Sequence, residues 1–211
     1  MRCDGCRLPE DLCYCRDLTA LESRTRVVVL MHVSELAVAS NTGRLAERTL
    51  VRGETRVRGQ LDRPMTMDGV VTGDTYPLVL FPSDDAVPIE EVQTELPVTL
   101  IVPDGGWRQA DKLQRRVPEL DGLTRVSITP RGPSRYFLRK SPRPDGLCTF
   151  EAIIEALGVL EGEALRDALD EQFSEMVKRV LLSRGLYSLK VFREEGRYEP
   201  THADERPMPE G

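Results

Sequence analysis

The chain has 211 residues, of which 40% are hydrophobic and 30% are charged, a composition typical of one globular domain with a sizeable core. No apolar run approaches the roughly 18–20 residues that a membrane span needs, which excludes an integral membrane protein. The net charge of -6 excludes a uniformly basic nucleic-acid binder, although a local basic surface on an acidic protein can still hold RNA.

The N-terminal segment is rich in cysteine. It begins MRCDGCRLPEDLC, with acids, cysteines and proline where a secretion signal has its apolar core, so we expect a cytoplasmic protein. In a reducing compartment clustered cysteines are more often metal ligands than disulfides, and the spacing C-x2-C-x6-C-x-C suits a closed tetrahedral zinc site. We therefore predict a zinc knuckle over residues 1–20, with a structural Zn2+ held by Cys3, Cys6, Cys13 and Cys15. Redox-active or incidental thiols and an iron–sulfur cluster are the alternatives.

The rest of the chain alternates between strand and helix patterns. Apolar, β-branched runs predict strands at residues 26–33, 76–81, 98–102 and 125–129. Helical patterns occupy residues 44–50, 107–116, 151–157 and 163–183, and Gly158 is expected to end the third of these helices. This alternation predicts an α/β fold with a mostly parallel sheet and flanking helices over residues 21–192. Residues 193–211 lack apolar periodicity, and we expect a disordered tail there.

Polar segments follow the predicted strands, and ligands of open α/β sheets bind outside the carboxyl ends of strands. After the first strand, Thr42 and Gly43 form either an ordinary turn or a helix start whose free amides hold a carboxylate or phosphate. After the third strand, Asp104 either caps the following helix or belongs to a binding site. Two glycines and the only tryptophan, Trp107, follow Asp104, and they leave both interpretations open.

Several common catalytic motifs are absent from the sequence. It contains neither a Walker GK[S/T] motif nor G-x-G-x-x-G, so phosphoryl transfer and nicotinamide binding have no support. His32 is the only histidine in the body of the chain, so a Ser/His/Asp arrangement for acyl hydrolysis has no support either.

Positive side chains are concentrated in three places. Residues 131–143 carry five of them and no acid, interleaved with Tyr136 and Phe137. A second group lies on one face of the predicted helix 107–116, and a third comprises Arg44, Arg48 and Arg52. Each group alone is usual for a solvated charged face, but three near one candidate site on an acidic protein favour a polyanion. The predicted RNA-binding residues are Arg44, Arg108, Lys112, Arg115, Arg135, Arg139 and Lys140.

Five motifs, taken in order, resemble the DTW-domain family. They are the cysteine spacing, His32 with Glu35, the string Asn-Thr-Gly-Arg-Leu from Asn41, Pro-Asp-x-x-Trp-x-Gln-Ala from Pro103, and Leu-Arg-x-x-Pro…Leu-x-Thr-x-Glu-Ala from Leu138. The resemblance spans residues 3–189. It implies a tRNA-uridine aminocarboxypropyltransferase that uses S-adenosylmethionine and has a SPOUT-like, knotted α/β core.

The resemblance also implies a reaction and residues for it. The 3-amino-3-carboxypropyl group of S-adenosylmethionine would move to N3 of a tRNA uridine, and methylthioadenosine would be released. Asp104 would act as the general base for the N3 proton, and Trp107 would form a wall that keeps the methyl carbon out of reach. The implied S-adenosylmethionine-binding residues are Thr42, Gly43, Pro103, Asp104, Trp107, Leu138, Leu147, Cys148 and Thr149.

Two positions depart from the family pattern, because Gly106 stands in place of a threonine and Cys148 in place of a serine. Two other functions stay open at this point. A SPOUT-like RNA methyltransferase would use the same cofactor and would differ in the modified nucleoside. A non-enzymatic zinc-knuckle module would bind RNA and would not bind S-adenosylmethionine.

Overall fold

A computed structural model describes residues 1–136 and 146–185. Within these residues six strands form one sheet, in which all neighbouring strands are parallel. The strands are β1 (Arg26–His32), β2 (Gly53–Arg58), β3 (Tyr76–Leu80), β4 (Val87–Pro88), β5 (Val98–Asp104) and β6 (Thr124–Ser127). Their order across the sheet is β2-β1-β5-β3-β6-β4, so the predicted α/β fold is confirmed, while the knot stays a prediction.

Helices flank the sheet on both faces. They are α1 (Ala46–Thr49), α2 (Trp107–Arg115), α3 (Thr149–Glu161) and α4 (Glu163–Ser183). None of the helices within residues 1–136 and 146–185 is both long and apolar enough to cross a membrane.

Successive side chains of the central strands point to opposite faces, as strand geometry requires. Val27 and Val29 of β1 belong to one core cluster together with Phe173 of α4, whereas Val28 packs in a second cluster with Leu113 of α2. The central strands β1, β3 and β5 are therefore covered on both sides, which explains their nearly continuous apolar sequences. Polar side chains that can form a site therefore lie at the ends of these strands.

β5 is the strand that positions the site. It pairs with β1 on one side and β3 on the other, and Asp104 lies opposite Met31 of β1. Every residue of β5 is buried, and the strand runs two residues beyond the predicted range 98–102. Asp104 consequently lies at the carboxyl edge of the sheet, between the loops that follow β1 and β3.

The largest differences from the sequence predictions are the strands β2 and β4 and the end of α3. β2 and β4 were not predicted, because β2 is a charged, half-buried edge strand and β4 has only two residues. Gly158 does not end α3 but lies inside it. Its missing side chain leaves room for α4, because a Cβ there would lie 2.7 Å from Cδ of Arg166. The chain reverses at Gly162 instead, where φ is +105°, in the region that favours glycine.

Residues 1–20 share the core of the sheet domain. Leu8 and Tyr14 are each 1% exposed and belong to the same cluster as β1 and α4. Thr19 donates its backbone N–H to Oε1 of Gln172 at 2.7 Å, and Nε2 of Gln172 donates to the Thr19 carbonyl at 3.0 Å. The knuckle is thus joined to α4 by apolar packing and by hydrogen bonds. The predicted tail at 193–211 lies outside the described residues.

Candidate active site

The carboxyl ends of β1, β3 and β5 open into one cleft of about 190 Å³ that is continuous with solvent. Its walls come from residues 40–42 after β1, 80–82 at the end of β3, 103–107 at the end of β5 and 146–149 before and in α3. This is the edge at which open parallel sheets bind ligands. The predicted residues that line the cleft are Thr42, Pro103, Asp104, Trp107, Leu147, Cys148 and Thr149.

Asp104 is 2% exposed, and both oxygens of its carboxylate accept hydrogen bonds. Nδ2 of Asn41 donates to Oδ2 at 2.7 Å, and Oγ1 of Thr149 donates to Oδ1 at 2.5 Å. The carboxylate therefore joins the loop after β1, the end of β5 and the first residue of α3. The interpretation of Asp104 as a helix cap is wrong, because the N-cap of α2 is Gly106.

Asn41 connects Asp104 to a second buried acid, Glu35. Besides its bond to Asp104, Nδ2 of Asn41 donates to Oε2 of Glu35 at 3.1 Å. Oδ1 of Asn41 accepts from the backbone N–H of Arg44 at 3.3 Å, so the amide oxygen faces away from the carboxylates. The two N–H groups of this amide are thereby shared between two acids, which holds the Asp104 side chain in one orientation.

An apolar wall lies beside the Asp104 carboxylate. Trp107, the first residue of α2, packs against Phe81 with ring centroids 6.3 Å apart and ring planes inclined at 59°. Leu80 and Pro82 extend the same side of the cleft. A cleft with an apolar wall and a few fixed polar groups suits a ligand that carries both a ring system and charges.

Glu151 holds together the side of the cleft that lies across from Trp107 in the chain segments before and in α3. Its carboxylate accepts hydrogen bonds from the Cys148 N–H at 2.9 Å, the Ser134 hydroxyl at 2.7 Å and the Arg135 N–H at 2.7 Å. These bonds join residues 134–135 to the start of α3, where Cys148 and Thr149 line the cleft. Burial and the nearby Glu151 carboxylate raise the pKa of the Cys148 thiol well above its ordinary value, so this thiol is protonated at neutral pH.

Thr42 and Gly43, adjacent in sequence, have different positions relative to the cleft. Thr42 lines it, and its Oγ1 accepts a hydrogen bond from the Phe150 N–H at 3.3 Å. Gly43 lies behind Asp104, where a Cβ would be 2.8 Å from Cγ of the carboxylate, and it is not among the residues that line the cleft. The glycine allows the 3-10 turn Gly43–Leu45 to pass directly against Asp104.

The four N-terminal cysteines come together as the spacing predicts. The sulfur atoms of Cys3, Cys6, Cys13 and Cys15 all lie within 4.8 Å of one another. Four sulfur donors at this separation fit a tetrahedral soft metal ion. Hydrogen bonds from the Cys6 backbone and the Cys13 thiol lower the pKa of Cys3 to about 6, whereas burial raises the pKa of Cys15 to about 12.

Arg44 and Arg48 are directed toward this cysteine cluster. The half-buried Arg44 guanidinium donates to the carbonyls of Gly5 at 3.2 Å, Glu35 at 3.3 Å and Leu36, and its burial lowers its pKa. Nη1 of Arg48 lies 3.0 Å from Sγ of Cys15. This placement gives no support to the predicted RNA contact at Arg44.

The other predicted RNA-binding residues differ in exposure. On α2, Arg108 and Lys112 are exposed and make no ion pair within the described residues, while the exposed Arg115 pairs with Asp111 at 2.9 Å. The Arg135 guanidinium pairs with Asp170 of α4. The remaining predicted residues, Leu138, Arg139 and Lys140, lie outside the described residues.

Several residues of the site received no role from the sequence. Glu35, Asn41 and Glu151 belong to the motifs that carry the family resemblance, so the sequence marks these positions. It does not indicate which groups these side chains bind. Phe81 looks like any apolar strand residue. Tyr136, whose buried hydroxyl donates to the Ser40 carbonyl, belongs to a basic stretch that suggested only RNA contact.

A parallel sheet with a carboxylate-bearing cleft at its carboxyl edge, joined to a four-cysteine knuckle, defines an α/β domain whose N-terminal segment could hold a metal ion. Residues 1–181 match the DTW domain family, and the chain belongs to this family. The resemblance in the sequence motifs is therefore confirmed.

Two relatives are named tRNA-uridine aminocarboxypropyltransferase 2. The chain is 31% identical to the Drosophila melanogaster protein over 174 residues, which cover 76% of this chain and 66% of that protein. It is 26% identical to the Macaca fascicularis protein over 169 residues, which cover 75% of this chain and 56% of that protein. The chain thus spans less than two thirds of the length of each relative. No solved structure matches it.

The contact between Gly43 and Asp104 leads to a stability prediction. Gly43→Ala places a methyl group 2.8 Å from the Asp104 carboxylate carbon, which must displace the carboxylate from Asn41 and Thr149. We expect a loss of about 1–3 kcal/mol in the free energy of unfolding, measured by urea denaturation. The control is Gly73→Ala, because a Cβ at Gly73 has no heavy atom within 4 Å. Equal stability of the two variants would contradict the close packing described here.

Proposed function

We propose that this chain transfers the 3-amino-3-carboxypropyl group of S-adenosylmethionine to N3 of a uridine in tRNA, with release of methylthioadenosine. The observation that carries the proposal is the buried Asp104 carboxylate, held by Asn41 and Thr149 beside Trp107 in a cleft at the strand ends. The names of the two relatives, both tRNA-uridine aminocarboxypropyltransferases, support the same reaction.

The cleft suits S-adenosylmethionine in its chemistry. The rings of Phe81 and Trp107 suit the apolar parts of the molecule, and Asp104 has the charge opposite to its sulfonium and ammonium groups. When bound, S-adenosylmethionine supplies a carbon that the sulfonium has already activated. The residues that would hold it are Thr42, Pro103, Asp104, Trp107, Leu147, Cys148 and Thr149.

Asp104 is the residue we assign to proton removal from uridine N3. The bonds from Asn41 and Thr149 hold one carboxylate oxygen each and set the orientation of the group. Because these bonds fix the carboxylate before the substrate binds, little reorientation is needed at the moment of proton transfer.

Trp107 would determine which carbon of the donor is accessible. Its indole packs against Phe81 and forms a wall at the start of α2. A wall at this point would exclude the methyl carbon from the uridine and leave the aminocarboxypropyl carbon exposed. The choice between this transfer and methyl transfer then depends on Trp107, and the identity of the modified nucleoside reports that choice.

The test of the proposed function is mass spectrometry of tRNA nucleosides after incubation with the protein and S-adenosylmethionine. We expect aminocarboxypropyluridine and methylthioadenosine in equal amounts. A methylated nucleoside with S-adenosylhomocysteine as the by-product would overturn the proposal in favour of a methyltransferase. Tight binding of tRNA with no modified nucleoside and no binding of S-adenosylmethionine would favour a non-enzymatic RNA-binding module.

The cysteine cluster is proposed to hold Zn2+ as a structural ion, because four thiolates are suited to a closed tetrahedral zinc site. The packing of residues 1–20 onto α4 supports a role in folding. We expect one zinc per chain by elemental analysis of the purified protein. A content below about half an ion per chain, a threshold set by the strong zinc affinity of structural thiolate sites, would overturn this assignment.

The exposed face of α2 is the proposed contact for tRNA phosphates. Replacement of Arg108 and Lys112 together by glutamine should weaken tRNA binding and reduce the slope of log K against log salt concentration by about one per lost contact. The matched control replaces Arg24 and Arg52, which are exposed at the amino edge of the sheet, so that Arg52 does not lie near the cleft as the sequence suggested. Binding isotherms at several salt concentrations check this. An equal effect of the two double variants would show that α2 is an ordinary solvated face.

The role of Asp104 is tested by Asp104→Asn. The asparagine keeps the shape of the side chain and can still accept from Asn41, while the Thr149 hydroxyl can reverse and accept from the new amide. Loss of the base should slow transfer by about 10²–10⁴-fold, and higher pH should restore part of the rate because N3 then ionises unaided.

Asp111→Asn is the matched control for Asp104→Asn, because Asp111 lies on α2 outside the cleft and pairs with Arg115. Circular dichroism and calorimetry with S-adenosylmethionine verify that both variants fold and bind. Near-normal turnover by Asp104→Asn at neutral pH would remove Asp104 from the proton transfer and leave it with an orienting role.

A further inference from the structure

Arg44 joins two parts of the molecule that the proposed reaction does not otherwise connect. One part is the cysteine cluster, and the other is the loop after β1 that holds Glu35 and Asn41. The Arg44 guanidinium lies between them and donates to three backbone carbonyls, those of Gly5, Glu35 and Leu36. None of these acceptors is a carboxylate, so the charge of Arg44 is used to organise backbone.

At the cluster, Arg44 binds the turn that presents two of the metal ligands. Gly5 lies between Cys3 and Cys6, and its carbonyl accepts from Nη1 of Arg44 at 3.2 Å. The turn is tightly enclosed, because a Cβ on Gly5 would lie 2.7 Å from Nη1 of Arg48 and 2.9 Å from Sγ of Cys15. The position of this turn is therefore sensitive to the guanidinium groups of both arginines.

At the cleft, Arg44 contacts the Asp104 network through two different groups. Nη2 of its side chain donates to the Glu35 carbonyl at 3.3 Å and to the Leu36 carbonyl, which fixes the turn that carries the Glu35 carboxylate. Its backbone N–H donates to Oδ1 of Asn41 at 3.3 Å, which orients the amide that donates to Asp104. Arg44 does not itself line the cleft, so it acts on a ligand only through these neighbours.

We infer that Arg44 is a positioning residue that couples metal binding at the cysteine cluster to ligand binding at Asp104. Ordering of the Cys3–Cys6 turn by a metal ion presents the Gly5 carbonyl to Arg44, which then holds the Glu35–Asn41 loop in the form that orients Asp104. Coupling between two sites is reciprocal, so a ligand in the cleft must strengthen metal binding by the same factor. The inference rests on the proposed function for the identity of the ligand.

The experiment measures zinc affinity of the full chain by competition with a chromogenic chelator, with and without saturating S-adenosylhomocysteine, which cannot react. We expect the ligand to tighten zinc binding of the wild-type chain by about 5-fold or more, the lower end of typical coupling. In Arg44→Met, which keeps the apolar stem and loses the donors, the ligand effect should fall toward none.

The matched control is Arg48→Met. Arg48 contacts Sγ of Cys15 but has no hydrogen bond to the loop after β1 among the described residues, so its loss should weaken zinc binding and leave the ligand effect intact. A residue with only a structural role would lower zinc affinity without changing the effect of the ligand. The ratio of zinc affinities with and without ligand therefore separates positioning from simple stabilisation.

The outcomes are distinguishable from those for the proposed function. If calorimetry shows binding of S-adenosylhomocysteine and the zinc affinity of the wild-type chain does not respond to it, the inference is overturned and the proposed function is unaffected. If the ligand does not bind the wild-type chain at all, the proposed function is overturned and this inference with it. If circular dichroism shows that Arg44→Met is unfolded, Arg44→Lys replaces it. An ammonium cannot span the three carbonyls as the planar guanidinium does, so wild-type coupling in Arg44→Lys would overturn the inference.

Discussion

A charged carboxylate in the position of Asp104, 2% exposed at the end of β5, costs several kcal/mol unless hydrogen-bond donors surround it. Its donors come from the loop after β1 and from the start of α3, so the carboxylate can be buried only where these segments meet. Gly43 is required at the same junction, because any side chain there would occupy the space of the carboxylate. The cleft is the space that this junction leaves between its three segments and the end of β3.

The surroundings of Asp104 are held in turn by a second set of polar contacts. Glu151 fixes residues 134–135 to the start of α3, and the hydroxyl of Tyr136 donates to the carbonyl of Ser40. Asn41 donates to both Asp104 and Glu35 and accepts from the backbone N–H of Arg44. The Arg44 guanidinium in turn donates to the Gly5 carbonyl in the cysteine turn. Hydrogen bonds between the loops around the cleft thereby hold the site in one arrangement.

Much of the fold could be predicted from the sequence, because buried parallel strands have long apolar runs and α4 has a clear helical stripe. β2 and β4 could not, since edge strands are covered on fewer sides and need no such run. The cysteine cluster followed from spacing alone, while most cleft residues came from the family resemblance. The partners of Asp104 could not be predicted, because Asn41 and Thr149 are 63 and 45 residues from it in sequence. Arg44 was predicted to bind RNA because its charge is visible in a sequence and its carbonyl acceptors are not.

The proposed reaction depends above all on binding of the donor molecule in the cleft around Asp104. A crystal structure of the chain with S-adenosylhomocysteine tests it most directly. We expect the ligand between Trp107 and Thr149, with the bonds from Asn41 and Thr149 to Asp104 unchanged. A ligand bound elsewhere on the chain, or a cleft that stays free of it at saturating concentration, would contradict donor binding at Asp104.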